Sequence, residues 1–323
     1  MKRGLVIGKF MPPHLGHVAL INFAKQQCDE LIVSMSYTDQ DAIPHTKRLE
    51  WLTSIFDGDK KIIVRTLVDD FDNPLLPLAE RTKRWAQIIS HVYPKIDVVV
   101  SSEAYGEPFA NHLQAKHISF DEGRRQVPIA ASTIRQKPLS NWHFIPQVVK
   151  PYFVKKICFY GAESTGKSTM AKIMAGKYNT VFVPEVAREM ITSNDFTLDD
   201  IITIGHAHFQ RIIDATQTAN KILFCDTDVL TTQIYSQHYL DTIPPILYEL
   251  ERKMTYDKYF LFDIDVPWVA DGLRDLGHQR EAMHARFVRE LQRRNINFVL
   301  VSGTWQEREQ LITAEIDKLL RDA

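Results

Sequence analysis

The feature that most constrains the fold is an alternation between short apolar, β-branched runs and longer stretches with helical periodicity. In the first half of the chain, helical patterns at 17–28, 47–56 and 77–92 separate strand-like runs at Leu5–Ile7, Leu31–Met35, Ile62–Val68 and Ile96–Val100. The alternation begins again with strand-like runs at Ile157–Tyr160, Val181–Val183, Ile222–Cys225, Tyr259–Phe262 and Phe298–Val301. This rhythm is typical of parallel sheets covered by helices. The sequence therefore predicts an α/β protein with two doubly wound parallel-sheet domains.

The segment between the two cycles predicts the domain boundary. At 323 residues, the chain has room for two domains of about 150 residues each. Residues 138–153 contain Pro138, Pro146 and Pro151 and follow neither the helical nor the strand period. We expect the domains to be 1–150 and 151–323, with the aromatic residues of this segment forming a packed connector.

The composition argues against several kinds of partner. The 39 Lys and Arg residues balance 40 Asp and Glu residues, so no overall basic surface indicates a nucleic acid or a membrane. We see neither a signal-peptide core nor a run of about 20 apolar residues. Cys28, Cys158 and Cys225 lie far apart and are expected to be buried free thiols. A cytoplasmic protein fits these features best.

The first candidate site is the string GKFMPPHLGH at 8–17, which follows the first strand and leads into a helix. Gly8 permits close approach of a ligand to the backbone, and His14 and His17 can face the same side. Free backbone N–H groups, the positive end of the helix dipole and the imidazole donors together favour a phosphate. Further candidates for binding a triphosphate or a substrate phosphate are Lys9, Phe10, Lys47 and Arg48, although the lysines and the arginine are equally well explained as solvated surface charges.

This site is suited to a reaction in which a nucleophile displaces a leaving group from the phosphorus atom of a bound phosphate. Positioned donors can stabilise the charge-rich centre formed when a phosphate oxygen displaces pyrophosphate from the α-phosphate of ATP. The alternatives are a zinc pair or a capping histidine. A zinc pair is disfavoured because the two histidines have neither a nearby cysteine nor a third histidine.

A second segment, IAASTIRQKP at 129–138, supports the phosphate interpretation. It predicts a short helix that opens with a hydroxyl cap, with Ser132 near its start and Arg135 one turn later. On its own this is a weak signal, because many helices begin with Ser-Thr and most surface arginines are solvated.

The second candidate site is GAESTGKST at 161–169, which matches G-x-x-x-x-G-K-[ST] directly after a strand. Backbone N–H groups of such a loop hold phosphates, the lysine reaches the β- and γ-phosphates, and the following hydroxyl binds Mg²⁺. The nucleotide-binding candidates are Gly161, Ser164, Thr165, Gly166, Lys167, Ser168 and Thr169.

Carboxylates follow two later strands. Asp226 and Asp228 end the run ILFCDTD, where ligands of open α/β sheets gather, and Asp226 is expected to associate with Mg²⁺ together with Ser168. Glu185 and Arg188 lie at the same rim, and Glu185 can accept a proton from a substrate hydroxyl, with Asp226 as the rival base. The alternative for each carboxylate is a role as a helix cap.

The stretch PWVADGLRDLGHQR at 267–280 reads as a mobile lid because it is punctuated by glycines between a strand and a helix. Arg274 and Arg280 would neutralise charge on a transferred phosphoryl group when the lid closes. Asp271 is a further ligand-binding candidate. Trp268 can stack on an aromatic substrate, although packing between domains explains it equally well.

Taken together, the chain resembles the NadR-type family of nicotinamide-nucleotide adenylyltransferases and ribosylnicotinamide kinases. The resemblance rests on GKFMPPHLGH, the IAASTIR segment, the connector NWHFIPQVVKPYFV, GAESTGKST, CDTD with the following TTQ, and PWVADGLRDLG, which occur in this order over almost the whole chain. It implies a Rossmann-like HxGH nucleotidyltransferase followed by a P-loop kinase.

The resemblance also implies substrates. The second domain would phosphorylate nicotinamide riboside with ATP and Mg²⁺, and the first would join the resulting mononucleotide, NMN, to AMP from ATP, which gives NAD and pyrophosphate. His14 and His17 would be the adenylyl-transfer histidines, Arg135 would bind ATP phosphate, and Lys167 and Ser168 would serve the P-loop. The resemblance is also compatible with a homo-oligomer and with a functional link to a riboside transporter.

The sequence departs from the family pattern at two places, and each departure leads to an expectation about activity. Some members begin with a helix-turn-helix domain, whereas the first catalytic strand here starts at Leu5, so we expect no direct DNA binding. The phosphate segment usually reads Ile-Ser-x-Thr-x-Ile-Arg, and Ala130 and Ser132 occupy its hydroxyl positions, which predicts reduced adenylyltransferase activity. Two other readings stay open: the same chemistries acting on a different nucleoside or cofactor precursor, and a module that senses NAD or ATP with one inactive site.

Overall fold

The chain forms two compact units, residues 1–150 and 151–322. The computed structural model describes residues 1–70, 72–191, 193, 195–270 and 275–322. Each unit has a parallel five-stranded sheet covered on both faces by helices, which confirms the predicted fold class.

The first unit alternates strands and helices from its start. Its elements are β1 (Arg3–Gly8), α1 (Leu15–Lys25), β2 (Glu30–Tyr37), α2 (His45–Ile55), β3 (Ile62–Val68), α3 (Leu78–Val92), β4 (Val98–Ser101), α4 (Gly106–His112), β5 (Lys116–Ser119) and α5 (Ala131–Gln136). The strand order is β3-β2-β1-β4-β5, and every pairing among them is parallel. Because β1 lies at the centre, the loop that follows it opens at the rim where ligands of such sheets bind.

Alternate residues of the central strands pack into two separate hydrophobic cores, one on each face of the sheet. Val6 and Val33 pack with α1 and α2 on one face of the sheet. Leu5, Ile32 and Val99 pack with α3 and α4 on the other. Strands buried on both faces need near-continuous apolar sequence, which is why these segments show no polar alternation.

The second unit repeats this plan with different connections. Its elements are β6 (Lys155–Tyr160), α6 (Lys167–Lys177), β7 (Phe182–Val183), α7 (Ala187–Met190), α8 (Leu198–Thr218), β8 (Ile222–Asp226), α9 (Val229–Leu240), α10 (Pro245–Lys253), β9 (Lys258–Phe262), α11 (Arg280–Arg293), β10 (Phe298–Val301) and α12 (Trp305–Asp322). The strand order is β10-β9-β6-β8-β7, again parallel throughout. Ile157 and Phe159 pack towards α6 and α12, whereas Cys158 and Tyr160 pack towards α9 and α11.

The predicted strands are present, and one strand was not predicted. Lys116–Ser119, an edge strand with partly exposed residues, lacks the apolar run on which the sequence prediction relied. The connector is packed as expected, since Trp142, Ile145 and Val149 are buried. All three cysteines are buried and free, as predicted.

No helix in the described ranges has both the length and the apolar character needed to cross a bilayer.

Candidate active sites

The loop between β1 and α1 brings the two predicted histidines into contact. Their rings stack at 3.6 Å between centroids, and the Phe10 ring meets His17 edge-on at 4.9 Å. His14 also caps α1, because its Nδ1 accepts the backbone N–H of His17 at 3.3 Å. The absence of a side chain at Gly16 leaves room for the His14 ring, since a Cβ there would lie 3.0 Å from it. Capping and a ligand-facing position are therefore compatible for His14.

The surroundings of the pair favour neutral imidazoles. Burial, together with the positive charge of Arg124, lowers the pKa of His14 to about 4. Burial also lowers the pKa of His17 well below its usual value, and His14 and Arg124 add to the effect. The Nδ1 atom of His17 is buried and has no hydrogen-bond partner within the described part of the chain. At neutral pH the two rings are uncharged groups, each able to direct one N–H donor.

Arg124 was not predicted, because no motif marks it. Its backbone is left-handed, with φ of +48°, and its guanidinium donates to Glu103 Oε1 at 2.7 Å. It lines the same cavity as the two histidines, so it adds a cation to the candidate phosphate site.

Helix α5 borders this cavity, but one expectation about its start was wrong. Ala130 is the N-cap, and no side chain caps the helix, because Ser132 lies inside its first turn. Arg135 donates to the carbonyl oxygen of Met11, which attaches α5 to the histidine loop. The cavity brings together the predicted residues Gly8, Lys9, Phe10, His14, His17, Ser132 and Arg135.

The other basic candidates are placed differently. Lys47 is half exposed and pairs with Glu50 at 2.9 Å on the surface of α2. Arg48 is fully buried and donates to the carbonyl oxygen of Lys9 at 2.6 Å and to Asp41 at 2.7 Å. Neither lines the histidine cavity. Arg48 therefore binds the backbone of the loop between β1 and α1 through Lys9, and a direct role in ligand binding for either residue stays a prediction.

A second cavity adjoins the first at Ile7, Gly8, Lys9 and Tyr105. Its wall includes Trp85, whose indole N–H donates to Asp72 at 3.0 Å. Arg81 binds the same carboxylate with two hydrogen bonds of 2.8 and 2.7 Å and lies over the Trp85 ring. A fixed aromatic surface beside a phosphate site suits a planar ring. Sequence patterns did not single out these residues, because they lie on and before α3, away from any loop motif.

In the second unit, residues 161–169 form the predicted phosphate loop between β6 and α6. Gly161 and Gly166 have φ of +134° and +90°, and a Cβ at Gly166 would lie 2.5 Å from the Trp305 ring. Both positions therefore require glycine. Lys167 is buried and donates to the carbonyl oxygen of Ala162 at 2.8 Å, which is also the acceptor of the Thr165 hydroxyl at 2.9 Å. The loop is held in a defined shape.

Asp226 lies at the end of β8 close to Ser168, as predicted. The carboxylate is almost fully buried, and its Oδ1 atom has no hydrogen-bond partner among the described residues. Burial and the negative charge of Glu185 raise the pKa of Asp226, and Lys167 and Ser168 oppose this rise. A hydroxyl and a carboxylate with one unpartnered oxygen beside a phosphate loop fit Mg²⁺, which takes one or two protein oxygens and completes its shell with phosphate and water.

A mostly apolar cavity adjoins the phosphate loop, lined by Val186, Ile191, Phe196, Ile201, Ile204, His208, Tyr235 and Tyr239 among others. Glu185 lies where this cavity meets the loop, and its Oε2 accepts a hydrogen bond from Arg188 at 2.8 Å. The cavity suits an aromatic nucleoside. Its ring-bearing side chains lie on α8, on α9 and, for Phe196, just before α8. They were missed because apolar and aromatic residues with helical spacing resemble an ordinary core.

Arg280 binds backbone carbonyl groups in the structure, and its action on a transferred phosphoryl group stays a prediction. It donates to the carbonyl oxygens of Val266 at 2.6 Å and Ser164 at 3.2 Å, and its guanidinium lies over the Trp268 ring. The Trp268 ring also packs against Gly277 within the second unit. Arg280 thus contacts the phosphate loop at Ser164, and Trp268 contacts Arg280 and Gly277. Asp271 and Arg274 lie outside the described residues.

The fold and the two sites define the class of the protein: a nucleotidyltransferase-type unit followed by a P-loop kinase-type unit. Comparisons with known proteins agree. Residues 5–145 match the cytidylyltransferase-like family model, and residues 156–308 match the AAA domain model. The trifunctional NAD biosynthesis/regulator protein NadR of Salmonella typhimurium is similar to this chain. The two are 32% identical over an alignment of 325 positions, which covers 92% of this chain and 78% of the relative.

Two crystal structures of NadR proteins share the fold at 21% identity. One, in complex with NR, has a TM-score of 0.81 and covers 98% of this chain and 95% of its own. The other, in complex with NAD and AMP-PNP, has a TM-score of 0.83 and covers 99% of this chain and 96% of its own. From the sequence similarity over nearly its whole length, the chain belongs to the NadR family.

Proposed function

We propose that the protein is a bifunctional NAD salvage enzyme. The second unit phosphorylates nicotinamide riboside to NMN with ATP, and the first joins NMN to the AMP part of ATP, which gives NAD and pyrophosphate. The observation that carries the proposal is the presence of two separate phosphate sites, each beside a cavity lined by aromatic side chains. The names of its NadR relatives, and the NR, NAD and AMP-PNP bound in two related crystal structures, support these substrates.

In the first unit, the phosphate oxygen of NMN attacks the α-phosphorus of ATP, and the bond to pyrophosphate breaks. His14, His17 and Arg135 lie around the start of α1, where the positive end of the helix dipole also favours an anion. Neutral imidazoles donate hydrogen bonds to oxygens whose charge grows in the transition state. The cavity beside Trp85 and Asp72 is suited to the nicotinamide ring and its carboxamide.

In the second unit, the riboside occupies the apolar cavity, and its 5′-hydroxyl faces the γ-phosphate bound at Lys167. We propose Glu185 as the group that takes the hydroxyl proton while the new O–P bond forms and ADP leaves. Glu185 lines both the riboside cavity and the phosphate loop, whereas Asp226 lies against Ser168. Ser168 and Asp226 would hold Mg²⁺, which supplies positive charge at the β- and γ-phosphates.

We also place the protein in the cytoplasm, where the free, buried thiols of Cys28, Cys158 and Cys225 would stay reduced.

The direct test is incubation of the purified protein with nicotinamide riboside and Mg-ATP while NMN and NAD are followed together. The expected result is transient NMN followed by NAD and pyrophosphate. Formation of neither product would contradict the proposal. If the protein phosphorylates a different riboside and not nicotinamide riboside, the two reaction types would stand and the substrate assignment would be wrong.

A further inference from the structure

Glu163 lies at the junction of the phosphate loop and the apolar cavity. It is the third residue of the phosphate loop, yet its side chain lines both spaces. The residues common to the two cavities are Glu163, Glu185, Arg188, Thr231 and Tyr235. The acceptor sugar must occupy this junction, because it connects a base in the apolar cavity to the γ-phosphate at the loop.

The Glu163 carboxylate has an oxygen with no partner. Its Oε2 atom is buried and makes no hydrogen bond within the described residues, whereas Oε2 of Glu185 accepts the N–H of Arg188. Buried polar atoms are nearly always satisfied, and an unsatisfied one beside a binding cavity points to a bound group that completes it. Glu163 therefore offers a free acceptor oxygen to a ligand, whereas one oxygen of Glu185 is held by Arg188.

The charges around Glu163 indicate which kind of ligand group it faces. Lys167 and Arg188 contribute positive charge, and Asp275 and Glu185 contribute negative charge. Tyr235 and Tyr239 complete the surroundings on the cavity side. Burial, aided by Asp275, raises the pKa of Glu163 to about 7. A carboxylate repels phosphate oxygens but accepts hydrogen bonds from hydroxyl groups.

We propose that Glu163 binds hydroxyl groups of the acceptor sugar and makes the kinase selective for ribosides over deoxyribosides. The inference rests on the proposed kinase function and adds the residue that recognises the sugar. A site built to bond a hydroxyl discriminates strongly against an analogue that lacks it, because the site's own polar group is left unpaired. Glu185 keeps its role at the reacting 5′-hydroxyl, and Glu163 places the sugar.

The test compares the wild type with Glu163→Gln and Glu163→Leu in the full chain. Gln keeps an acceptor oxygen without the charge, and Leu removes both. The matched control is Glu309→Gln, which removes a surface carboxylate paired with Lys177. For each protein, kcat and KM are measured with nicotinamide riboside, its 2′-deoxy and 3′-deoxy analogues, and ATP.

We expect the wild type to prefer the riboside over at least one deoxy analogue by about 10- to 100-fold in kcat/KM. Glu163→Leu should lose that preference by raising the KM for the riboside, with little change in the KM for ATP, and Glu163→Gln should lie between. Thermal melts and a retained KM for ATP show that the second unit of each variant is folded, and unchanged NMN-to-NAD activity shows the same for the first unit.

Two results would overturn the inference while the kinase activity stands. One is an unchanged riboside preference in folded Glu163→Leu. The other is a loss confined to kcat, with the acidic limb of the pH–rate profile removed, which would make Glu163 the proton acceptor. A wild type that forms no NMN at all would overturn the proposed function, and this inference with it.

Discussion

The guanidinium of Arg308 donates from Nη1 to the carbonyl oxygen of Thr165, 2.8 Å away. Arg308 is fully buried, and it also donates to the carbonyl oxygen of Gly303 at 2.9 Å and pairs with Asp265. One side chain of α12 therefore joins the phosphate loop to the segments that follow β9 and β10. A carbonyl held outwards by Arg308 helps to orient the loop's N–H groups towards a bound phosphate.

Replacement of Arg308 should weaken ATP use by the kinase. Hydrogen bonds to charged groups contribute about 1.5–3 kcal/mol each, so Arg308→Met should lower kinase kcat/KM for ATP by about 10- to 100-fold. Arg308→Lys should retain only part of the wild-type kcat/KM for ATP, because an ammonium cannot reproduce the planar set of donors. Steady-state kinetics with Arg293→Met, a surface arginine on α11, as the control would check this. Equal losses in the two variants would contradict a role specific to Arg308.

Arg280 supports the adjacent position of the same loop, since it donates to the carbonyl oxygen of Ser164. Arg280→Ala should lower the kinase rate more than it weakens riboside binding, because a distorted loop misplaces the γ-phosphate. Binding of riboside measured by calorimetry, together with single-turnover phosphorylation, separates the two effects. Weakened riboside binding at an unchanged rate would assign Arg280 to the acceptor site.

Much of the fold could be predicted because its signals are local. A strand such as Ile222–Asp226 is buried on both faces and is therefore apolar up to its last residue. The phosphate loop likewise needs glycine at Gly161 and Gly166 for its backbone. The edge strand Lys116–Ser119 escaped prediction because none of its residues is fully buried, so it lacks an apolar run. The start of α5 was misjudged because a hydroxyl near a helix start need not be its cap.

The parts of the sites that could not be predicted depend on tertiary contacts. Trp85 and Asp72 meet only when α3 packs on the sheet, and Arg124 approaches the histidines through a loop with no motif. Arg280 matched a lid pattern, yet its guanidinium binds the backbone of the phosphate loop. A basic residue in a glycine-punctuated segment carries no local sign of which partner it will find.

The kinase should depend on Mg²⁺ through Asp226. Removal of the ion should abolish NMN formation, and Asp226→Asn should raise the Mg²⁺ concentration that gives half-maximal rate, because a neutral amide binds the cation more weakly. Titration of Mg²⁺ at fixed ATP gives both values, and thermal melts of the variant check that its second unit is folded. An unchanged Mg²⁺ requirement in Asp226→Asn would contradict this assignment.

The stability of the first unit should fall as the pH drops below about 6.5. The folded state keeps His14 neutral down to about pH 4, whereas an unfolded histidine takes up a proton near pH 6.5. Between these values the unfolded chain binds more protons, so stability rises with pH. His14→Asn preserves a capping side chain and should flatten this dependence.

Thermal melts of the two proteins from pH 7.5 to 5 provide the measurement. His208 in the second unit also has a pKa lowered to about 4 by burial, so the difference between the wild type and His14→Asn is the informative quantity. Parallel curves over this range would show that His14 is protonated in the folded state.

The central claim, two independent sites in one chain, is tested most directly by the two half-reactions of Lys167→Ala and His17→Ala. Lys167→Ala should abolish NMN formation from nicotinamide riboside and leave NAD formation from supplied NMN intact, because it removes the cation at the β- and γ-phosphates. His17→Ala should let NMN accumulate and slow NAD formation by about 100-fold or more. If folded Lys167→Ala also fails to convert NMN to NAD, the assignment of two separate sites is wrong.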